Sequence, residues 1–391
     1  MGAVSAKWLG LALSGVVVAG LGALAYGLMA GRAQAPFRAT LSVSGALREE
    51  SLDGFARAGA PRAFSFPEDH GPHPEFRIEW WYWTGNLKTD AGRRFGFQLT
   101  FFRTALSAEP RERESAWGTA TVYMAHFALA DIDGGRFYAF DRFSREALGL
   151  AGARADPFRV WLEDWSASAA DGGKAPPMRL QAAQGRVAVD LTLLSAKPVV
   201  LHGQHGLSRK GAQEGNASYY YSLTRMPARG SVTVGSTRFQ VTGLGWMDRE
   251  WSTSMLERDQ IGWDWFALQL SDGRDLMLFR IRRSDGGVDP HSGGTLVAVD
   301  GSARALAGED VRVEVLDRWR SPRDGTRYPS HWRITVPAEE LEIEVTPGLA
   351  DQELNVALRY WEGAVRLRGS AGGKPLGGYG YVELTGYADV G

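Results

Sequence analysis

Three consecutive charged residues, Asp248, Arg249 and Glu250, stand between two tryptophans, at 246 and 251. Charged side chains rarely sit among bulky aromatic ones unless they are paired or used in function. In a strand, alternate residues face opposite ways, so Asp248 and Glu250 would share one face and Arg249 would take the other. A carboxyl group walled by tryptophan can keep its proton near neutral pH, because desolvation disfavours the charged form. Asp248 and Glu250 are therefore candidate general acids for an apolar substrate.

A structural interpretation of the same run stays open. If Arg249 bridges both carboxylates, the three residues form an ion-paired cluster that fixes the chain between strands. If Arg249 points away, one carboxyl group is left as an acid among the tryptophans.

Two further residues are candidates for positioning a water molecule, Glu79 and His126. Glu79 opens the run "EWWYW", where strand alternation places it with Trp81 and opposite Tyr82. His126 lies on the apolar face of "TVYMAHFALAD". A histidine in that setting is either a neutral core residue or part of a site.

Carboxylates also alternate with tyrosines near the C-terminus. Glu362 shares a strand face with Tyr360, and Glu383 shares one with Tyr381. The pattern suits a polar cluster inside a barrel, or a charged ladder on an edge strand. The residues predicted to line a substrate pocket are Trp81, Tyr82, Trp246, Arg249, Trp251, Trp263, Asp264, Trp265, Tyr360, Glu362, Tyr381 and Glu383.

Several other function classes are disfavoured. The histidine pairs His70/His73 and His202/His205 do not lie on a convincing helix, and no carboxylate is close to the second pair, so we expect hydrogen-bonded loop residues and no metal. No nucleophile elbow or phosphate-binding glycine loop occurs, so we expect no cofactor. The chain has no Cys, and its net charge of −1 provides no basic field for nucleic acid. A neutral or apolar ligand fits better.

The N-terminus predicts export. The run from Trp8 to Ala30 carries no charge and is long enough to span a bilayer, and Ala33-Gln34-Ala35 resembles a signal-peptidase site. We expect residues 1–35 to be a signal peptide or an N-terminal inner-membrane anchor, with the body periplasmic or secreted.

Strands dominate the rest of the sequence. Segments such as "RRFGFQLTFFR" and "GRVAVDLTLLS" alternate apolar and polar residues between turn signals, which predicts an all-β, antiparallel fold. A weak repeat relates the segments that open at Glu79 and Gly262. We therefore predict an extended lead-in over 36–75 and two barrel domains over 76–227 and 228–391, with the Asp248 segment entering the second barrel.

Seven segments together resemble a known family. They are "EWWYWTGNL", "AHFALAD", "SYYYSLTRM", "GLGWMDREWS", "GWDWFALQL", "YWEGAV" and "GYVELTGY". In this order they are similar to the carotenoid 1,2-hydratase and AttH-like family, whose bacterial members are often labelled predicted secreted hydrolases. The resemblance covers roughly residues 60–390.

The resemblance implies two tandem lipocalin-like barrels and no cofactor. Its hydratases protonate a terminal double bond and capture the carbocation with water; other members catalyse cyclisations, and several are encoded near ABC transporter components, so such a transporter is an expected partner. The hydratases carry a His near the Trp of the Asp248 segment, where this chain has Arg249 and Glu250. The chain therefore resembles the secreted AttH-like branch more closely. Fold does not settle the reaction.

Overall fold

The computed structural model describes residues 52–109, 115–253 and 256–388. The predicted signal peptide or anchor, residues 1–35, and the start of the predicted lead-in lie outside the described residues. None of the helices in the described part of the chain is long and apolar enough to cross a membrane.

The first sheet contains 13 antiparallel strands in the described residues. They are β1 (Ile78–Lys88), β2 (Arg94–Ala105), β3 (Thr121–Asp131), β4 (Arg136–Arg145), β5 (Ala151–Ala155), β6 (Phe158–Leu162), β7 (Trp165–Ala169), β8 (Met178–Gln184), β9 (Val187–Leu193), β10 (Val200–Leu201), β11 (Leu207–Arg209), β12 (Ala217–Val234) and β13 (Thr237–Ser252). The main order is β4-β3-β2-β1-β13-β12-β9-β8-β7-β6-β5, and β10 and β11 pair with β12. The sheet curls on itself, so Phe127 of β3 meets Trp165 of β7 with ring centroids 5.7 Å apart.

The second sheet contains ten antiparallel strands in the described residues. They are β14 (Gln260–Leu270), β15 (Asp275–Arg283), β16 (Gly293–Val297), β17 (Ala303–Ala307), β18 (Arg312–Arg320), β19 (Arg327–Val336), β20 (Leu341–Pro347), β21 (Glu353–Asn355), β22 (Arg359–Ala371) and β23 (Lys374–Leu384). The order is β17-β16-β15-β14-β23-β22-β20-β19-β18, with β21 on β22. Phe266 of β14 meets Trp332 of β19 inside this curl, at 5.6 Å. The predicted all-β fold of two barrel-like sheets is confirmed. Three short 3-10 helices complete the described elements: Glu68–His70, Gly308–Asp310 and Pro337–Glu339.

The change of sheet lies further along the chain than the predicted boundary at 227/228. Strand β12 runs unbroken through that boundary, and β13 returns from it to pair with β1. Pro227 and Gly230 resemble a linker in the sequence, but Pro227 follows a bulge between Leu223 and Met226, and Gly230 allows close approach to the backbone of β9. The Asp248 segment therefore ends the first sheet and does not open the second.

The lead-in is packed and not merely extended over a surface. The ring centroid of Phe64 lies 5.7 Å from that of Trp251 and 6.2 Å from that of Tyr219, and both partners are on the first sheet. His70 and His73 are buried within it. The segment therefore covers one end of the first barrel, and its histidines form hydrogen bonds as expected.

The two sheets pack face to face through their outer surfaces. We call this the inter-sheet layer; its buried apolar members are Tyr82, Tyr220, Trp246, Trp265, Ala267, Met277, Ala364 and Tyr381. The sheets approach closely at Gly96, where an added Cβ would lie 2.5 Å from the Cβ of Ala364. One cavity lies at each end of the layer.

Candidate active site between the two sheets

The first cavity lies at the end of the inter-sheet layer where the carboxylates collect. Its volume is about 180 Å³. The first sheet lines it with residues of β1, β2, β3, β12 and β13, and the second sheet lines it with residues of β14, β15, β22 and β23. Its lining includes Trp80, Tyr82, Phe102, Met124, His126, Lys210, Tyr220, Asp248, Glu250, Trp263, Trp265, Phe279, Leu358, Tyr360 and Glu383.

Asp248 is a buried carboxyl group of the first sheet whose pKa is raised. Its carboxyl accepts hydrogen bonds from the hydroxyl of Tyr220 at 2.7 Å, from the indole of Trp246 at 2.6 Å and from the hydroxyl of Ser222. Burial nevertheless raises its pKa to about 7, and the charge of Glu250 adds to the rise. Asp248 can therefore hold a proton at neutral pH.

Glu250 lies beside Asp248 with different partners. The Ser218 hydroxyl donates to Glu250, and the ammonium of Lys210 lies 3.0 Å from the same carboxylate oxygen. Lys210 also packs over Tyr220 and Phe279, with its nitrogen 5.2 and 4.5 Å from the ring centroids. Glu250 is thus held as a paired carboxylate, which distinguishes it from Asp248.

The second sheet adds two carboxyl groups that share an environment. Tyr82 donates its hydroxyl hydrogen to Glu362, and Trp263 donates to Glu383 at 2.6 Å. Burial raises the pKa of both carboxyl groups, and that of Glu383 is about 7. The neighbouring charge of Glu383 raises the pKa of Glu362 further. Oε2 of Glu362 is buried and accepts no hydrogen bond from a donor group. If this oxygen carries a proton, it can donate that proton in a hydrogen bond to Glu383.

His126 contributes an unsatisfied ring nitrogen. Its Nδ1 lies 2.7 Å from the hydroxyl of Tyr360, which also accepts from Gln98 at 3.2 Å. Its Nε2 is buried without a partner. Burial lowers the pKa of His126 to about 3, so the ring is neutral. The cavity thus holds a neutral imidazole together with two carboxyl groups, Asp248 and Glu383, that can keep a proton near neutral pH.

The opposite face of the same strands carries a separate cluster. Arg249 stacks on Trp81, with its guanidinium carbon 4.0 Å from the ring centroid, and forms an ion pair with Glu79. Arg103 approaches Glu79 at 3.0 Å, and the backbone N–H of His73 donates to it. Burial alone would raise the pKa of Glu79, but Arg249, His73 and Arg103 outweigh it and lower the pKa to about 2.

This geometry decides between the two interpretations of the Asp248-Arg249-Glu250 run. Arg249 faces Glu79 and the first core, whereas Asp248 and Glu250 face the cavity. Arg249 does not neutralise them.

The structure brings most of the predicted site residues together. Asp248, Glu250, His126, Tyr82, Trp263, Trp265, Tyr360 and Glu383 line the cavity, and Trp246, Glu362 and Tyr381 lie directly behind them. The acidic ladder proposed for an edge strand is not formed by Glu362, which is fully buried.

Four residues predicted to line the pocket do not line it, and the role predicted for Glu79 is wrong. Trp81 and Arg249 are on the opposite face, and Trp251 stacks on His73 at 3.7 Å. Asp264 is bound by Arg282 at 3.1 Å and by the hydroxyl of Tyr387 at 2.8 Å, away from the cavity. Glu79 borders the cavity, but its carboxylate is committed to the arginines, so it cannot position water there.

Sequence reasoning missed the partners on β12 and the adjoining loop. Ser222 pairs in register with Asp248, and Tyr220 with Glu250, so "SYYYS" provides three donors at alternate positions. Behind Ser222 lies His202, whose Nε2 is 2.6 Å from the Ser222 hydroxyl and whose Nδ1 is 2.9 Å from that of Thr295. The alternation in "SYYYS" was visible, but the strand it pairs with was not.

No group of three or more His, Asp or Glu side chains within 52–109, 115–253 and 256–388 has the arrangement of a metal site. The groups that line the cavity can supply a proton, from Asp248 or Glu383, and aromatic faces that favour a cation.

Comparison with known proteins places the chain in a family. The AttH-like family model matches residues 57–387. The chain belongs to the AttH-like family. A crystallised protein from Nitrosomonas europaea, designated an AttH candidate, is 36% identical to this AttH-like chain; the match covers 85% of this chain and 100% of that one, with a TM-score of 0.75. No curated protein matches.

More distant solved structures share the fold alone. Kievitone hydratase from Nectria haematococca is 16% identical to this AttH-like chain over 85% of it and 96% of the hydratase, with a TM-score of 0.64. CghA in complex with Sch210972 is 14% identical over 86% of this chain and 97% of that one, with a TM-score of 0.52.

Proposed function

We propose that this AttH-like protein is a cofactor-independent hydratase, or a hydrolase, that acts on an apolar isoprenoid or lipid by general acid catalysis. The observation that carries the proposal is Asp248: a buried carboxyl group with a pKa of about 7 that faces an aromatic cavity. The fold shared with a protein named kievitone hydratase agrees with the hydratase form.

The proposed hydration balances within the cavity. Asp248 transfers its proton to one alkene carbon, the π bond breaks, and the other carbon becomes a cation. The faces of Trp263, Trp265 and Tyr82 stabilise this cation. Water held by Nε2 of His126 forms the new C–O bond and returns a proton to the Asp248 carboxylate, which restores the acid.

The cavity suits the end of a larger apolar molecule. Its volume of about 180 Å³ is close to the roughly 150 Å³ that accommodates a benzene ring in an apolar cavity. Trp80, Phe102 and Met124 are half-buried at its rim, where the rest of such a molecule would leave the protein. The expected substrate therefore presents a reactive end group and not its centre.

The test is turnover of isoprenoid and ester panels by the full chain, after lipids that co-purify with it are identified by mass spectrometry. Asp248→Asn should lower the rate by about 100-fold to 10,000-fold while ligand binding persists, because the amide cannot supply the proton. Asp264→Asn, at a buried aspartate outside the cavity, is the matched control. Full turnover by Asp248→Asn would contradict the acid role.

One observation favours a second candidate function. Asp248 accepts three hydrogen bonds and Glu250 is paired with Lys210, so the carboxylates have partners without a substrate. The protein would then be a non-catalytic carrier of a lipophilic ligand in the periplasm, with an ABC transporter as its partner. A ligand that binds with a defined stoichiometry, without turnover of any panel member, would establish this alternative. Export through the N-terminal segment belongs to both proposals and is tested by cell fractionation.

A further inference from the structure

We propose that the second cavity, at the other end of the inter-sheet layer, binds an anionic amphiphile: a carboxylate or phosphate monoester attached to an apolar body. No residue that lines this cavity lines the first one. The inference is therefore independent of the proposed reaction.

The same strand faces lead from one cavity to the other and change character on the way. On β22, Glu362 at the acidic end is followed at alternate positions by Ala364 and Arg366. On β23, Glu383 is followed in the reverse direction by Tyr381 and Tyr379. Arg366 and Tyr379 pair in register and both line the second cavity.

Close packing separates the two ends. Gly96 lies against Ala364 and Tyr381 with no room for a side chain. Asn86 donates across the layer to the backbone carbonyl of Gly380 at 2.9 Å, and Gln269 donates to that of Gly245 at 2.9 Å. A ligand in one cavity therefore does not reach the other.

The charge of the second cavity is positive. Its lining contains Lys88, Arg94 and Arg366 and no acidic residue. Arg94 pairs with Asp133 at 3.1 Å, whereas Lys88 and Arg366 have no ion-pair or hydrogen-bond partner for their charged groups among the described residues. In a chain with a net charge of −1, this is a local excess of cations that an anion would neutralise.

The walls beneath these cations are apolar. Ile132 and Leu244 face the inter-sheet layer there and are half-buried. Leu87 and Phe95 also border the cavity but belong to the core of the first sheet, and Val365 belongs to the core of the second. The ring of Tyr379 is 44% exposed at the edge of the cavity. The cavity volume is about 490 Å³, within the range of sites for small organic ligands. An apolar body with an anionic head matches both the walls and the charges.

The experiment is photo-crosslinking to the full chain, kept in nanodiscs of zwitterionic phosphatidylcholine because of its apolar N-terminal run. The probes are decanoate with a diazirine on its chain and the corresponding neutral alcohol, and the labelled peptides are mapped by mass spectrometry. The decanoate should label peptides that contain Leu87, Leu244 or Tyr379, and unlabelled decanoate should compete. The alcohol should label them weakly.

A double variant, Lys88→Gln with Arg366→Gln, should reduce this labelling by about fivefold to tenfold, since each partly exposed charge contributes modestly. The matched control is Arg312→Gln with Lys374→Gln, which removes two exposed charges elsewhere and should change nothing. Leu244→Trp, which fills the cavity, should abolish the labelling.

A free amphiphile and a lipid headgroup share this chemistry, and nanodiscs that contain anionic phosphatidylglycerol distinguish them. Persistent labelling there assigns the site to the free amphiphile, and competition by the lipid assigns it to the headgroup. Equal labelling by the neutral alcohol, labelling that maps elsewhere, or an unchanged double variant would overturn the proposal.

Discussion

Strands β1 and β13 carry a carboxylate cluster on each face, and the two clusters differ by one residue in register. Trp81 pairs with Arg249 on one face, and Tyr82 pairs with Asp248 on the other. Behind Trp81, Glu79 is held by two arginines and its pKa falls to about 2. Behind Tyr82, Asp248 has only neutral hydrogen-bond donors and its pKa rises to about 7.

Both clusters are buried, so burial alone does not decide the protonation state. Desolvation raises the pKa of Glu79 as it raises that of Asp248, and the arginines reverse the outcome only on the first face. On the cavity face the cation beside the acids is Lys210, which is bound to Glu250. The comparison shows that the position of the arginines, and not the number of carboxylates, decides which buried carboxyl group is an ion-pair partner and which can act as an acid.

The largest expected effect is on the arginine-paired face. Glu79→Gln leaves Arg249 and Arg103 buried without their counter-ion and should lower the free energy of unfolding by about 3 to 5 kcal/mol. Chemical denaturation at pH 7 measures it. Glu362→Gln is the matched control, a buried glutamate on the other face. Equal losses of stability in both variants would contradict the claim that only Glu79 is held by buried ion pairs.

A smaller effect, of opposite sign, is expected on the cavity face. At pH 8, Glu362→Gln should raise the free energy of unfolding by about 1 kcal/mol, because its amide accepts from Tyr82 and donates to Glu383 without a buried charge. At pH 4 the gain should vanish, because Glu362 is then protonated in both folded and unfolded chains. A loss of stability at pH 8 would contradict the proton assigned to Glu362.

The pH dependence of wild-type stability follows from the same signs. Asp248 and Glu383 have a higher pKa in the folded chain than the ordinary value of about 4. Their contribution to the free energy of unfolding is therefore present at low pH and is lost as the pH rises toward 7. Glu79 contributes above about pH 4 and loses this contribution as the pH falls toward 2. Unfolding measured from pH 2 to 8 in wild type and in Glu79→Gln separates the two, since the variant should keep the loss toward pH 7 and lack the part of the acid-side loss that comes from Glu79.

The smallest effect concerns the hydrogen bonds to the acid. Ser222→Ala removes one donor to the Asp248 carboxylate and should move its titration upward by about 1 pH unit. Ser218→Ala removes a donor to Glu250 and is the matched control. The midpoint of the pH–rate profile, or of the carboxyl infrared signal, reports the change. Equal shifts in both variants would mean that Ser222 has no specific hold on Asp248.

Much of this comparison could be predicted from strand alternation. Period two placed Asp248 and Glu250 on one face with Arg249 on the other, and separated Trp81 from Tyr82. The structure confirms these relations. Alternation also predicted the strands themselves, because apolar residues repeat at every second position in both sheets.

The errors came from what alternation cannot supply. It does not say which face of a strand meets the other sheet, so Trp81 and Trp251 were assigned to the pocket on aromatic character alone. It does not give the pairing register that brings Tyr220 and Ser222 beside the acids. The domain boundary was misplaced because Pro227 and Gly230 punctuate the sequence like a linker, although a bulge accommodates them within β12.

The most direct test of the account is the protonation state of Asp248 in the full chain, without any substrate. Infrared difference spectra between pH 5 and pH 9 detect the C=O stretch of a protonated carboxyl group. A protonated carboxyl signal that titrates near pH 7 and is diminished in Asp248→Asn, but not in Glu79→Gln, is the predicted result. Absence of any protonated carboxyl signal above pH 5, or a signal that survives Asp248→Asn unchanged, would contradict it.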